Sequence, residues 1–230
     1  MNWDVVYENL GLYAQGAGLT IKLSVAALVM AFLISVPLAF ARNSKRAWLR
    51  RSVMVFTTVF RGTPLLMQLF LVYFGLAQFE LLRSSILWPW LSSPMFCALL
   101  VFVLNSGAYT TEIFAGGLRA IPKGEIEAAE AFGFSPLRAA LKIYIPGMLT
   151  RALPLYGNEM IMMMHATSLA STVTLMEVTG VARNITLNYY IQLEPYVAAA
   201  IIYLALTAVL VVAVQVAEAR YASYLDQRRG

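Results

Sequence analysis

No charged residue occurs from Leu23 to Ala41, and the same uncharged, mostly apolar pattern returns from Pro94 to Thr111 and from Tyr196 to Ala217. Two further runs carry a single acid or strong base each: Val53 to Phe79 holds only Arg61, and Leu155 to Met176 holds only Glu159. A bilayer core about 30 Å thick is crossed by roughly 20 helical residues. The pattern therefore predicts an all-α membrane protein with five transmembrane helices, at about 20–41, 53–79, 94–114, 154–176 and 196–217, in one domain covering residues 1–230.

The periodicity changes between the third and fourth runs. Residues 119–151 are charged and alanine-rich, and their local signals predict two short helices. Pro122 and Gly124 precede the first. Glu125 and Glu127 sit in its first turn, where the helix dipole favours negative charge. Gly133 is placed to end it in a left-handed cap. Ser135 then serves as N-cap and Pro136 as first helical residue, where a missing N–H costs nothing. The second helix is expected to run to about Ile145 and to stop at Pro146-Gly147. In the first helix Ile126, Ala129 and Phe132 recur at helical spacing, while Ala128 and Ala131 keep another part of the surface small. That pattern suits a solvated connector and a docking helix for a cytoplasmic partner equally well.

Composition agrees with a membrane protein: 60% of residues are hydrophobic and 13% charged, against about a quarter charged in soluble domains. The net charge of +5 matters for where it sits. Five basic residues lie in 42–51 (Arg42, Lys45, Arg46, Arg50, Arg51), five in 119–151 (Arg119, Lys123, Arg138, Lys142, Arg151) and three in the tail (Arg220, Arg228, Arg229), against Lys22, Arg83 and Arg183 on the other side. Basic loops stay in the cytoplasm, so the N-terminus is expected outside, and the C-terminus and the 119–151 loop inside. Charges placed this way explain the basic balance without nucleic acid. Asp4 and Glu8 stand where a signal peptide would be basic, so the first span is expected to be retained. Cys97 is the only cysteine and no metal-ligand spacing is present, which leaves redox and metal chemistry without support.

Glu127-Ala128-Ala129, three residues, Gly133, nine residues, Ile143, one residue, Ile145 in place of a leucine, and Pro146 resemble the EAA loop of ABC-importer permeases. Three passages, Phe60 to Leu76 (FRGTPLLMQLFLVYFGL), Ala108 to Ser135 (AYTTEIFAGGLRAIPKGEIEAAEAFGFS) and Asn158 to Leu175 (NEMIMMMHATSLASTVTL), are similar to the polar amino acid branch. They look most like the M-type subunit of histidine/basic amino acid and octopine/nopaline importers. The resemblance implies a MetI-like type I importer fold in the bacterial inner membrane. It also implies a coupling helix seated on an ATPase through Glu127, Ala128, Ala129 and Gly133, and transport by alternating access without catalysis by this chain. The partners implied are a Q-type permease, two ATP-binding subunits that use ATP and Mg, and a periplasmic substrate-binding protein; this chain itself binds no cofactor. The sequence contains no G-x-x-x-x-G-K-[ST] phosphate loop, so the ATPase is expected to be a separate polypeptide. Many relatives read Lys-Asp-Thr-Ser-Leu where this chain has His165-Ala166-Thr167-Ser168-Leu169, so a carboxylate is missing here, and the partner permease is expected to supply it. The rival reading is an ATP-independent secondary carrier or channel, a class in which paired repeats are common; five unequal spans without a repeat weigh against it.

Ionisable groups at membrane depth are functional candidates by default. Glu159 would pair with the cationic groups of a basic amino acid or opine, and Asn158, Met162, Met163 and Ala166 share its region of the helix, so this set is the candidate substrate path. The alternative is that Glu159 pairs with Arg61 or Arg151 and merely ties spans together. Arg61, also a path candidate, is expected to snorkel toward the cytoplasm or to hold carbonyls freed where Gly62 and Pro64 loosen the helix. His165 reads as a hydrogen-bonded packing residue, and Glu112 as a polar packing group near the cytoplasmic boundary. Glu177, Arg183, Tyr189 and Tyr190 fall in a periplasmic segment.

Overall fold

The computed structural model describes residues 2–226, with side chains as far as Arg220. Arg228 and Arg229, counted above with the cytoplasmic charges, lie outside the described residues. The main helices are α1 (Trp3–Glu8), α2 (Leu10–Arg42), α3 (Ala47–Gly62), α4 (Leu65–Phe70), α5 (Pro94–Arg119), α6 (Lys123–Ala131), α7 (Pro136–Ala139), α8 (Ile145–Ala166), α9 (Val178–Tyr189) and α10 (Leu193–Asp226). Two single-turn helices, Glu80–Arg83 and Trp88–Leu91, join α4 to α5. No strand occurs among the described residues.

α5 is the centre. It packs against α2, α3, α4 and α8, and 61% of its most apolar stretch is buried, against 11% for α10. The apolar groups α10 leaves outside, Leu204, Val209 and Val212 among them, suit hydrocarbon and not water. α5 starts where Ser93 accepts a hydrogen bond from the Phe96 N–H (3.4 Å) and Pro94 follows as first helical residue. One core cluster joins Leu23, Ala27 and Leu28 of α2 to Leu69 of α4, Phe102 of α5 and Met163 of α8. A second joins Tyr13 to Val181 and Ile185 of α9 and Ala198 of α10. A third, at the far end of α2, joins Ala39 to Phe114 and Met148.

α5 and α8 cross closely because Gly117 has no side chain. A Cβ there would stand 2.7 Å from the Met148 carbonyl oxygen and 3.3 Å from Ala152 Cβ. Backbone cannot give way as a side-chain tip can, so Gly117→Leu is expected to destabilise by about 3 kcal/mol, the upper end for overpacking. A lower midpoint in a thermal melt of the detergent-solubilised protein checks this.

Among the described residues, three helices can cross a membrane by length and composition, Leu10–Arg42, Pro94–Arg119 and the Leu193–Arg220 part of α10, or four if a bent pair is taken as one span. The chain is thus an all-helical membrane protein with three to four candidate spans. That bent pair corrects the expected continuous span at 53–79. α3 ends at Gly62, and the chain turns through 101° before Leu65–Gln78. Thr63 is extended (φ −111°, ψ 140°), as a residue before proline prefers, so Pro64 ends the helix and does more than loosen it.

The fourth expected span, 154–176, also differs. α8 begins at Ile145, nine residues earlier, and ends at Ala166, after which Thr167–Val173 form a 3₁₀ stretch closed by Thr174 at φ 69°. The stop expected at Pro146-Gly147 does not occur. A π-turn over Ala140–Tyr144 leads straight into α8, so Pro146 falls in its first turn, where an N–H is not required.

Candidate functional site

A cavity of about 410 Å³ opens between α5, α8 and the start of α4. Asn105, Tyr109 and Ile113 line it from α5, at the i, i+4, i+8 spacing of one helix face. Asn158, Glu159, Met162, Met163 and Ala166 line it from α8. Five of the six substrate-path candidates thus share one wall. The sixth, Arg61, does not line the cavity. Its guanidinium lies over the Tyr109 ring, 5.1 Å from the centroid, and the Tyr109 hydroxyl donates to the Arg61 carbonyl oxygen (3.4 Å).

Glu159 is buried, with 8% of its surface exposed, and among the described residues is the sole charged side chain lining the cavity. Ser106 Oγ on α5 donates to its Oε1 at 2.7 Å. The pairing with Arg61 or Arg151 weighed as an alternative is absent among the described residues: Arg151 Nη2 instead binds Glu125 Oε1 at 2.8 Å, and Arg61 forms no ion pair. An acid with one hydrogen bond and soft methionine neighbours, on which Arg61 acts only through space and not as an ion-pair partner, leaves room for a cation that comes and goes.

The carbonyls freed at the α3–α4 bend are held, but not by Arg61. Gln68 Nε2 donates to the Phe60 carbonyl (2.8 Å), the Thr63 carbonyl (3.0 Å) and Thr63 Oγ1 (2.7 Å). Asn105 Nδ2 donates to the Phe60 carbonyl (3.0 Å) and to Gln68 Oε1 (3.2 Å). The sequence reading missed Gln68, Asn105 and Ser106. All three are uncharged polar residues in apolar helices; Asn105 and Ser106 are marked out by partners 37 to 53 positions away, and Gln68 by carbonyls that only the bend sets free.

His165 packs as expected: its Nε2 is 2.8 Å from Thr207 Oγ1 on α10. Glu112 takes Arg42 Nε at 2.7 Å and Thr57 Oγ1 at 2.8 Å, tying α2 and α3 to α5 near the basic loops. Glu177 is wholly buried and caps α9 by accepting from the Thr179 and Gly180 N–H groups (both 2.8 Å), and it also accepts from Tyr203 Oη on α10 (2.6 Å).

The loop helix α6 ends as its sequence predicts. Gly133 has φ +65°. The Phe134 N–H reaches back to the Ala129 carbonyl and the Gly133 N–H to the Glu130 carbonyl, the paired bonds of a Schellman cap. The Ser135 hydroxyl caps α7 through the Arg138 N–H (3.4 Å). Glu127, Ala128 and Gly133 are exposed, whereas Ala129 is buried at 6%. Ala129 thus faces the chain's own interior, not the outer side, where Phe132 stands 80% exposed, an aromatic the motif reading did not single out. Glu125–Arg151 joins α6 directly to α8.

The family model of the binding-protein-dependent transport system inner membrane component matches residues 19–223. The chain is 41% identical over 199 residues to the octopine transport system permease protein OccM of Rhizobium meliloti, covering 86% of this chain and 81% of that protein. It is 37% identical over 227 residues to the histidine/lysine/arginine/ornithine transport system permease protein HisM of Salmonella typhimurium, covering 98% and 97%. Among solved structures it resembles an amino acid ABC transporter crystallised with histidines (TM-score 0.83, 28% identity, 96% of this chain and 99% of that one). It shares the fold of a chain in the inward-facing MetNI methionine ABC transporter (TM-score 0.78, 15% identity, 93% of this chain and 98% of that one).

Proposed function

The chain belongs to the family of binding-protein-dependent transport system inner membrane components, and from that premise we propose that it moves a basic amino acid or an opine by ATP-driven alternating access. Membership makes it a non-catalytic, multi-pass permease of the inner membrane that works with a binding protein and an ATPase, and it sets aside the ATP-independent carrier. The observation carrying the substrate class is Glu159, an acid with no ion-pair partner among the described residues, facing a cavity of about 410 Å³. The substrates in the names of the similar permeases agree with a cation there.

In this reading the path is lined by Asn158, Glu159, Met162, Met163 and Ala166, with Arg61 behind Tyr109. Glu127, Ala128, Phe132 and Gly133 form the docking face for the ATPase, and Ala129 seats the helix from beneath. Five spans, N-terminus outside, follow if α3 with Leu65–Gln78 counts as one and α8 with its 3₁₀ extension as another; the thirteen-to-three charge count supports that topology. A Q-type permease and two ATP-binding subunits holding ATP and Mg complete the assembly. Two states are needed, with substrate and ATP each favouring one. Closure of the ATPase pair pushes α6, and the Glu125–Arg151 link passes the push to α8. The eight residues from Arg151 to Glu159 cover about 12 Å of helix, so that push arrives at the cavity wall.

The test is uptake into proteoliposomes holding the permease pair, the ATPase and the binding protein. Arginine, histidine and octopine are expected to enter in an ATP-dependent manner, with glutamate excluded. Equal uptake of glutamate would remove the substrate assignment.

A further inference from the structure

The connection from α4 to α5 contains a feature outside the proposed substrate path and docking face. Residues 79–93 link the end of one bent span to the start of another, and they fold as two single-turn helices, Glu80–Arg83 and Trp88–Leu91. Their outer surface is apolar to a degree water does not favour: Leu81 is 87% exposed and Ile86 86%, with Phe79 and Trp90 beside them in sequence also more than half exposed. Next to it lies an open cleft of about 600 Å³ lined by Gln78, Glu80, Arg83, Ser84 and Trp88. Glu80 and Arg83 are one helical turn apart, yet they form no ion pair among the described residues. The two charges face the same space with their hydrogen-bonding capacity unspent on each other.

We propose that this cleft binds the headgroup of a zwitterionic phospholipid bearing a primary ammonium, phosphatidylethanolamine, in the outer leaflet. The phosphate would sit on Arg83 and the ammonium on Glu80, with Trp88 beside them, while Phe79, Leu81, Ile86 and Trp90 sink among the acyl chains. The chemistry discriminates among headgroups. Glu80 accepts a hydrogen bond from a primary ammonium, whereas a trimethylated choline has no N–H to donate and a glycerol headgroup has no cation. Aromatic residues at the level of the headgroups are the usual anchors of a membrane protein, and an exposed ion pair is worth at most about a fivefold change in occupancy. Placing the cleft in the outer leaflet rests on the five-span topology proposed above.

The experiment is native mass spectrometry of the purified transporter exchanged into detergent with phosphatidylethanolamine, phosphatidylcholine or phosphatidylglycerol of identical acyl chains. Phosphatidylethanolamine is expected to be retained up to about fivefold more than either of the others. E80Q should erase its advantage over phosphatidylglycerol, and R83Q should lower retention of all three. Equal retention by the wild-type protein, or a preference that survives both substitutions, overturns the proposal. So does displacement of bound lipid by millimolar free arginine at concentrations where phosphoethanolamine has no effect, which would make the ligand a soluble amino acid. Substrate-stimulated ATP hydrolysis, measured on the same samples, stays at the wild-type level in both variants if the permease reading holds. Its loss in the wild-type preparation would instead count against that reading.

Discussion

Glu159→Gln is expected to reduce ATP-driven uptake of a cationic substrate by about thirtyfold or more, the lower end of the 2–5 kcal/mol for truncating one partner of a buried charge pair. Glutamine keeps the volume and still accepts the Ser106 hydroxyl bonded to Oε1 at 2.7 Å, so the substitution removes charge and little else. Because the bound cation would have no other acid in this cavity wall, the loss should be greatest for substrates with a cationic side chain. Ser106→Ala, by contrast, removes one hydrogen bond and leaves the carboxyl group in place, and a loss of about 1.5–3 kcal/mol, the range for a hydrogen bond to a charged group, is the upper bound. Uptake rates measured against external substrate concentration check both. Near-normal uptake by Glu159→Gln would place recognition of the cation somewhere other than this cavity.

The second large effect is expected at Gly133, on the opposite end of the transmission path. Its φ of +65° costs an ordinary residue about 1–2 kcal/mol, more for a β-branched one. Gly133→Val therefore shifts α6 out of its capped geometry by about five- to thirtyfold in population and moves the exposed Phe132 ring with it. Uptake and the stimulation of ATP hydrolysis by loaded binding protein are expected to fall by at least that factor, while unstimulated hydrolysis by the ATPase subunits persists. Gly133→Asn should recover most of the coupling, because asparagine tolerates the left-handed region. A valine variant that couples normally would mean that α6 does not carry the motion.

These residues also mark what could be read in advance. Gly133 and Ser135-Pro136 were legible because caps are local: the residue that ends a helix sits at the end, and its energetics need no neighbour from elsewhere. Glu159 was legible because a carboxylate among apolar residues stands out. Its partner was not, since Ser106 lies 53 positions away on a different helix and has nothing unusual in its own surroundings. Pro146 misled for a related reason. A proline ordinarily closes a helix, but here a π-turn over Ala140–Tyr144 delivers the chain so that Pro146 opens α8. Gly62 and Pro64 signalled a disturbance, yet its size, a turn of 101°, depends on Gln68 and Asn105 taking up the exposed carbonyls. Ala129 shows the remaining limit. A motif says that three residues matter together without saying which way each one faces, and packing turned this alanine inward.

The meeting of Arg42 and Thr57 on Glu112 bears on how the protein can deform. It fastens α2, α3 and α5 to one another near the basic loops, so under the proposed push on α6 those three would respond as a single stator. α8 is joined to the loop by Glu125–Arg151 and has no part in that fastening. Displacement must then appear as shear of α8 along α5, a surface kept smooth by Gly117 and broken, two turns further on, by the cavity that holds Glu159.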